Sequence, residues 1–69
     1  MLYAAQTPER LIRLPEVMAR TGLGRTFIYR LVAKGLFPKP IKLGARASAW
    51  LENEIDGWII ARAAERNSE

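Results

Sequence analysis

Five residues, Gly22, Gly24, Gly35, Pro38 and Pro40, restrict the fold of this chain more than any other feature of its sequence. Glycine readily takes the left-handed conformation that closes a helix, and prolines two apart hold the backbone extended. Helices between residues 15 and 40 must therefore be short. Pro15 followed by Glu16 is a favourable opening, because proline's missing N–H is no loss in a first turn and an acid there suits the helix dipole. The run "EVMART" then gives about two turns before Gly22 ends the helix. Leu23 turns inward, Gly24 is a tolerated N-cap, and a second helix is expected from Arg25 to about Lys34, stopped at Gly35. Two short helices joined by a glycine turn make a helix-turn-helix candidate.

The flanks are read in the same way. Residues 1–9 are expected to be a flexible N-terminal arm, 10–66 the folded domain and 67–69 a tail. In "RLIRL" a short strand would place Ile12 and Leu14 toward the core, with Leu11 and Arg13 on the other face. "LFPKP" is extended, and "IKL" and "ASAW" flank "GAR" as a small hairpin with glycine at its turn. Asn53 is expected to cap a last helix by accepting from the Asp56 N–H, with Asp56 reaching back. Ile55, Trp58 and Ile59 form that helix's inner stripe, which has to offset a cost of about 1 kcal/mol for the internal Gly57.

With 69 residues there is room for one domain, and a chain of this size buries only about 60% of its unfolded surface, too little for an elaborate enclosed catalytic cavity. It has no cysteine and no histidine, so disulfides, thiolate metal sites and the commonest general base are excluded. No metal or other cofactor is expected. Tyr29 as a recombinase nucleophile would need cationic partners and a base from a larger scaffold. Glu52, Glu54 and Asp56 could suggest a Mg²⁺ site, but an acidic first turn explains them more simply. No apolar run approaches the ~18 residues of a membrane span, and "MLYAAQTPER" lacks a signal-peptide layout, so a cytoplasmic location with no membrane partner is the expectation.

Charge gives the functional lead. Residues 1–50 carry +7 and residues 51–69 carry −3, within a net +4. Seven cations and no anion lie between Glu16 and Glu52. Such asymmetry fits either an anionic partner or an ordinary solvated face. On a helical wheel Ile28, Leu31, Val32 and Gly35 share one side of the second helix. Thr26, Arg30, Ala33 and Lys34 share the other, with Arg25 and Tyr29 on one flank. The outer face suits a groove lined with phosphates and base edges, read through Arg25, Thr26, Tyr29 and Arg30 and supported by Lys34. Lys39, Lys42 and Arg46 bring cations to the hairpin, Arg46 at its turn, where a wing would reach backbone or minor groove.

The motifs "RTGL", "IYRL", "GLFPKP", "KLGAR", and Trp50 followed by "EIDGWI" together resemble the AlpA family of phage-type regulators, over residues 10–62. That family is similar to MerR-type DNA-binding domains and to excisionases. The resemblance implies an α+β fold, a small winged helix-turn-helix with a two-stranded wing hairpin and a C-terminal helix. It also implies sequence-specific binding to double-stranded DNA in regulating a prophage or integrated element. By position, Arg25, Thr26, Tyr29 and Arg30 match the recognition helix, Lys42 and Arg46 the wing, and Trp50, Ile55 and Trp58 the core. Three positions depart from the family pattern: Gly24 replaces a serine cap, Phe27 a small polar residue, and Ser48 a valine.

Two other readings share these residues. An excisionase-like factor would bend DNA and assist an integrase on the same fold. A protein-interaction module would turn the basic face to an acidic protein. Ile60 points away from the inner stripe and is either a lone exposed apolar residue or a contact for self-association on repeated half-sites.

Overall fold

A computed structural model describes residues 9–66, so residues 1–8 of the expected 1–9 arm and the tail at 67–69 lie outside the described residues. The element order is β1 (Leu11–Ile12), α1 (Leu14–Thr21), α2 (Arg25–Ala33), β2 (Ile41–Gly44), β3 (Ala47–Leu51) and α3 (Glu52–Glu65). The result is a small α+β domain with three helices and a three-stranded antiparallel sheet ordered β1-β3-β2.

The glycines close the helices as their positions suggest. Gly22 ends α1 at φ 75°, its N–H donating to the Met18 carbonyl at 2.8 Å. Thr21 reinforces the turn, its hydroxyl donating to the Val17 carbonyl and accepting from the Leu23 N–H. Gly35, at φ 74°, donates to Val32 while Leu36 donates to Leu31, the paired closure of a Schellman motif. Gly24 takes extended geometry at the start of α2 without any side-chain cap.

Three local expectations are corrected. Leu14 does not continue β1 but opens α1, with Arg13 as N-cap. Pairing of β1 with β3 ends at Ile12 opposite Trp50, and Pro15 starts the helix almost at once. Asn53 does not cap α3. The helix begins at Glu52 with Leu51 as N-cap, because the Glu52 N–H is taken by the Arg10 carbonyl at 2.8 Å. Asn53 therefore falls inside the first turn, and its amide donates to Glu9. Gly44 does not occupy the hairpin turn. It ends β2, the turn is Ala45-Arg46, and positive φ occurs among the described residues only at Gly22 and Gly35. An irregularity between Lys42 and Gly44 sets Leu43 out of register.

The core joins Ile12, Val17, Ile28, Phe37, Trp50 and Ile55, one or two from nearly every element. Each such burial contributes about 1.5–3 kcal/mol. Trp50, wholly buried, anchors the sheet to the helices, and its indole N–H donates to the Pro38 carbonyl at 2.9 Å. Trp58 is partly exposed. It packs edge-on to Phe37 at 4.8 Å between centroids and donates to the Leu36 carbonyl at 2.9 Å, which ties α3 to the chain leaving α2. Ile55 is buried and Trp58 and Ile59 half-buried, the inner stripe of α3, while Ile60 is 68% exposed.

Candidate nucleic-acid interface

Core formation decides which cations remain available. Arg20, on α1, points at the start of α3, where its guanidinium donates to Glu16 at 2.8 Å, Asp56 at 3.0 Å and Glu52. Arg10 joins the same cluster, 3.1 Å from Glu52. The Glu52 hydrogen bond, foremost, holds the Arg20 pKa above its ordinary value despite partial desolvation. A raised value means that this cation's contribution is present at all ordinary pH and is lost only in strong alkali. Arg20 is thus one of the seven cations of the acid-free run, yet it is neutralised by the fold. Arg62 is occupied too, donating to Glu65 and lying 5.2 Å over the Trp58 ring.

The remaining cations behave differently. Arg13, Arg25, Arg30, Lys34, Lys39, Lys42 and Arg46 are all exposed, and none makes an ion pair among the described residues. Ile28 turns α2 into the core, leaving Arg25, Thr26, Tyr29, Arg30, Ala33 and Lys34 on the open side, as the helical wheel requires. No acid occupies the first turn of α2, and Arg25 stands there instead. A cation at that end opposes the helix dipole, by about 0.3–1 kcal/mol.

The sheet brings part of the hairpin to this helix. On β3, Ser48 and Trp50 are two residues apart and so share a face. Trp50 faces the core, where Tyr29 leans on it with ring centroids 6.1 Å apart. Ser48 continues that face past the edge of the core. There Arg13, Arg25, Tyr29, Arg46 and Ser48 line one concavity of about 230 Å³, floored by Leu14 and Pro15. Lys42 pairs with Ser48 across the ladder and so lies on the same face. Lys39 does not join them: it borders a separate groove with Glu54 and Trp58. Thr26, Arg30 and Lys34 lie outside the concavity, farther along α2.

Arg13 and Ser48 are the members that reading along the chain misses. Arg13 looks like the outer face of a strand, and its role as N-cap of α1 emerges only once β1 stops at Ile12. Ser48 looks like loose packing in place of valine. Phe27, the third departure, is 44% exposed beside Leu31, Leu36 and Trp58.

Known proteins are similar to this chain over most of the described residues. The chain is 47% identical over 60 residues to "Uncharacterized protein ORF88" of Enterobacteria phage P4, covering 87% of this chain and 68% of that protein. It is 37% identical over 59 residues to the "DNA-binding transcriptional activator AlpA" of Escherichia coli strain K12, covering 77% of this chain and 84% of the activator. Residues 10–63 match the family described as "Prophage CP4-57 regulatory protein (AlpA)", and the chain belongs to this family of prophage regulatory proteins.

Proposed function

We propose that this protein is a transcriptional regulator that binds double-stranded DNA sequence-specifically as a winged helix-turn-helix. In this reading α1 and α2 form the helix-turn-helix, α2 enters the major groove, and the β2–β3 hairpin is the wing. Arg30, Thr26 and the exposed flank of Tyr29 face base edges. Arg25, Lys34, Lys42 and Arg46 meet the backbone beside them. Lys39, which borders the separate groove lined also by Glu54, takes a peripheral backbone contact at most.

The observation that carries this reading is the sorting of charge. On the α1–α3 side Arg10 and Arg20 are held by Glu16, Glu52 and Asp56 and Arg62 by Glu65, leaving only Arg66 at the end of α3, whereas the cations on the α2–hairpin side have no partner among the described residues. A merely solvated surface would not need such a division. The K12 relative's name, a DNA-binding transcriptional activator, points the same way.

The experiment is selection of bound fragments from a random duplex pool. Enrichment of one motif, retained against excess random competitor, supports the reading. Uniform recovery of all sequences would refute sequence-specific recognition, and failure to retain any duplex would refute DNA binding and leave an acidic protein as the ligand of the basic face.

A further inference from the structure

We propose that the concavity between α1, α2 and the β2–β3 hairpin holds one phosphodiester of the DNA backbone, gripped jointly by Arg13, Arg25 and Arg46 with the Tyr29 and Ser48 hydroxyls. The inference rests on the DNA-binding reading and deepens it. It gives Arg13 a role in binding, and it makes Arg46 a partner of Arg25 at one phosphate instead of an independent contact at the wing tip.

Three guanidinium groups from three different elements line this one hollow, and no carboxylate is among its lining residues. None of the five polar side chains makes a hydrogen bond or ion pair among the described residues. Like charges gathered without a counter-ion repel, and Arg25 also opposes the dipole of its own helix. An anion in the hollow relieves both. The α2 N-terminus, with no side-chain cap and no acid in its first turn, adds backbone N–H donors on the same side.

The geometry discriminates between phosphate and base. A guanine edge offers O6 and N7, which a single arginine already satisfies bidentately. Three arginines and two hydroxyls exceed that capacity, whereas a phosphodiester carries a full charge and two non-bridging oxygens that accept several charge-assisted bonds. At about 230 Å³ the hollow also falls below the ~300 Å³ at which small-molecule sites begin, so it suits one charged group and not a nucleotide.

Its walls are held firmly. Tyr29 leans on the buried Trp50, Ser48 shares that tryptophan's strand face, and Arg13 caps α1 where β1 pairs with β3. A phosphate seated here therefore fixes the backbone relative to α2 and the hairpin together, setting how Arg30 meets the bases.

The test uses the full chain and the duplex recovered by selection, with each phosphate in turn replaced by a neutral methylphosphonate. Arg13→Gln and Arg46→Gln change exposed side chains that make no hydrogen bond or ion pair among the described residues, and circular dichroism checks their folding. One phosphate per bound copy should, when neutralised, weaken wild-type binding about tenfold, the effect of losing a charge-assisted bond. The same replacement should cost either variant less than it costs wild type, at that phosphate and no other, because groups that share one ligand are not additive. Arg30→Ala should keep the full sensitivity at that phosphate. If the duplex binds specifically but the losses multiply at every phosphate, the arginines do not share a ligand; the proposal fails and the DNA reading stands. If no duplex binds, both fall. Displacement of duplex by inorganic phosphate at matched ionic strength, abolished by Arg13→Gln and accompanied by a flat methylphosphonate scan, would assign the hollow to a free anion and overturn the proposal.

Discussion

The salt dependence of DNA binding should count the cations that the fold leaves unpaired, not those that the sequence contains. Six of them, Arg13, Arg25, Arg30, Lys34, Lys42 and Arg46, lie on α2, on the hairpin or in the hollow beside them. Each neutralised phosphate contributes about −0.9 to the slope of log affinity against log salt, so the one phosphate shared in the hollow with one each at Lys34 and Lys42 gives about −2.7 per bound copy, and separate phosphates for all five cations other than Arg30 would give about −4.5. Raising salt from about 50 to 200 mM should then weaken binding roughly 40-fold in the first case and roughly 500-fold in the second. The informative comparison is between two arginines. Arg46→Gln removes an unpaired cation and should make the slope shallower, by at most about 1 because Arg13 and Arg25 share its phosphate. Arg20→Gln removes an equal formal charge, but one already held by Glu16, Glu52 and Asp56, so the slope should not move although thermal stability falls.

Fluorescence anisotropy on the selected duplex across a KCl series, run well below each variant's melting temperature, reads both quantities. A flat wild-type slope would refute phosphate contact altogether. An Arg20→Gln slope as shallow as that of Arg46→Gln would show that the ion-pair cluster opens on DNA, and that sorting cations by their intramolecular partners is the wrong criterion.

Arg30→Ala should cost about 1–3 kcal/mol on the preferred duplex and little on random DNA in competition assays; equal losses on both would place Arg30 on the backbone. A single module of this size buries only about 600–1,000 Å² on DNA, so useful specificity calls for two or more copies, and saturating footprints should exceed one module's length. Gly57→Ala should stabilise the fold by about 1 kcal/mol, because the site is in a helix interior where an added Cβ meets nothing within 4 Å. Gly35→Ala should instead cost about 1–2 kcal/mol, from backbone strain at φ 74° with the same open space; a urea midpoint lowered by Gly57→Ala or raised by Gly35→Ala would contradict the corresponding assignment.

What the sequence reveals here follows the range of the physics involved. Gly22 and Gly35 end helices through bonds that reach three to five residues back, so reading along the chain suffices. The Ile28 face of α2 and the Ile55 stripe of α3 follow from helical periodicity alone. The Asn53 cap fails because a contact 42 residues away intervenes: the Arg10 carbonyl takes the Glu52 N–H and starts α3 directly from the sheet. Arg20 is misjudged for the same reason. Glu16, four residues earlier, was a visible signal, but Glu52 and Asp56 lie 32 and 36 residues away. The hollow is illegible from sequence, since Arg13, Arg25 and Arg46 belong to three segments that only the packed sheet brings together.

The acids at the start of α3 connect folding to function. Glu52 and Glu54 suit that helix's N-terminus, and Glu52 with Asp56 then draws in Arg20 and Arg10 from the N-terminal half. Positive charge is thereby neutralised on one side of the core while the other side keeps its cations. Rotational diffusion near a polyanion favours the orientation that turns the unpaired side inward, so the same ion pairs that join α1 to α3 also bias how the domain meets DNA. Trp50 completes the link. It is buried among the helices, donates to Pro38 at the entrance to the hairpin, and supports Tyr29 on α2. The helix proposed to read bases and the hairpin proposed to hold the backbone are therefore braced against one side chain, and the spacing between them is a property of the core, not of either surface.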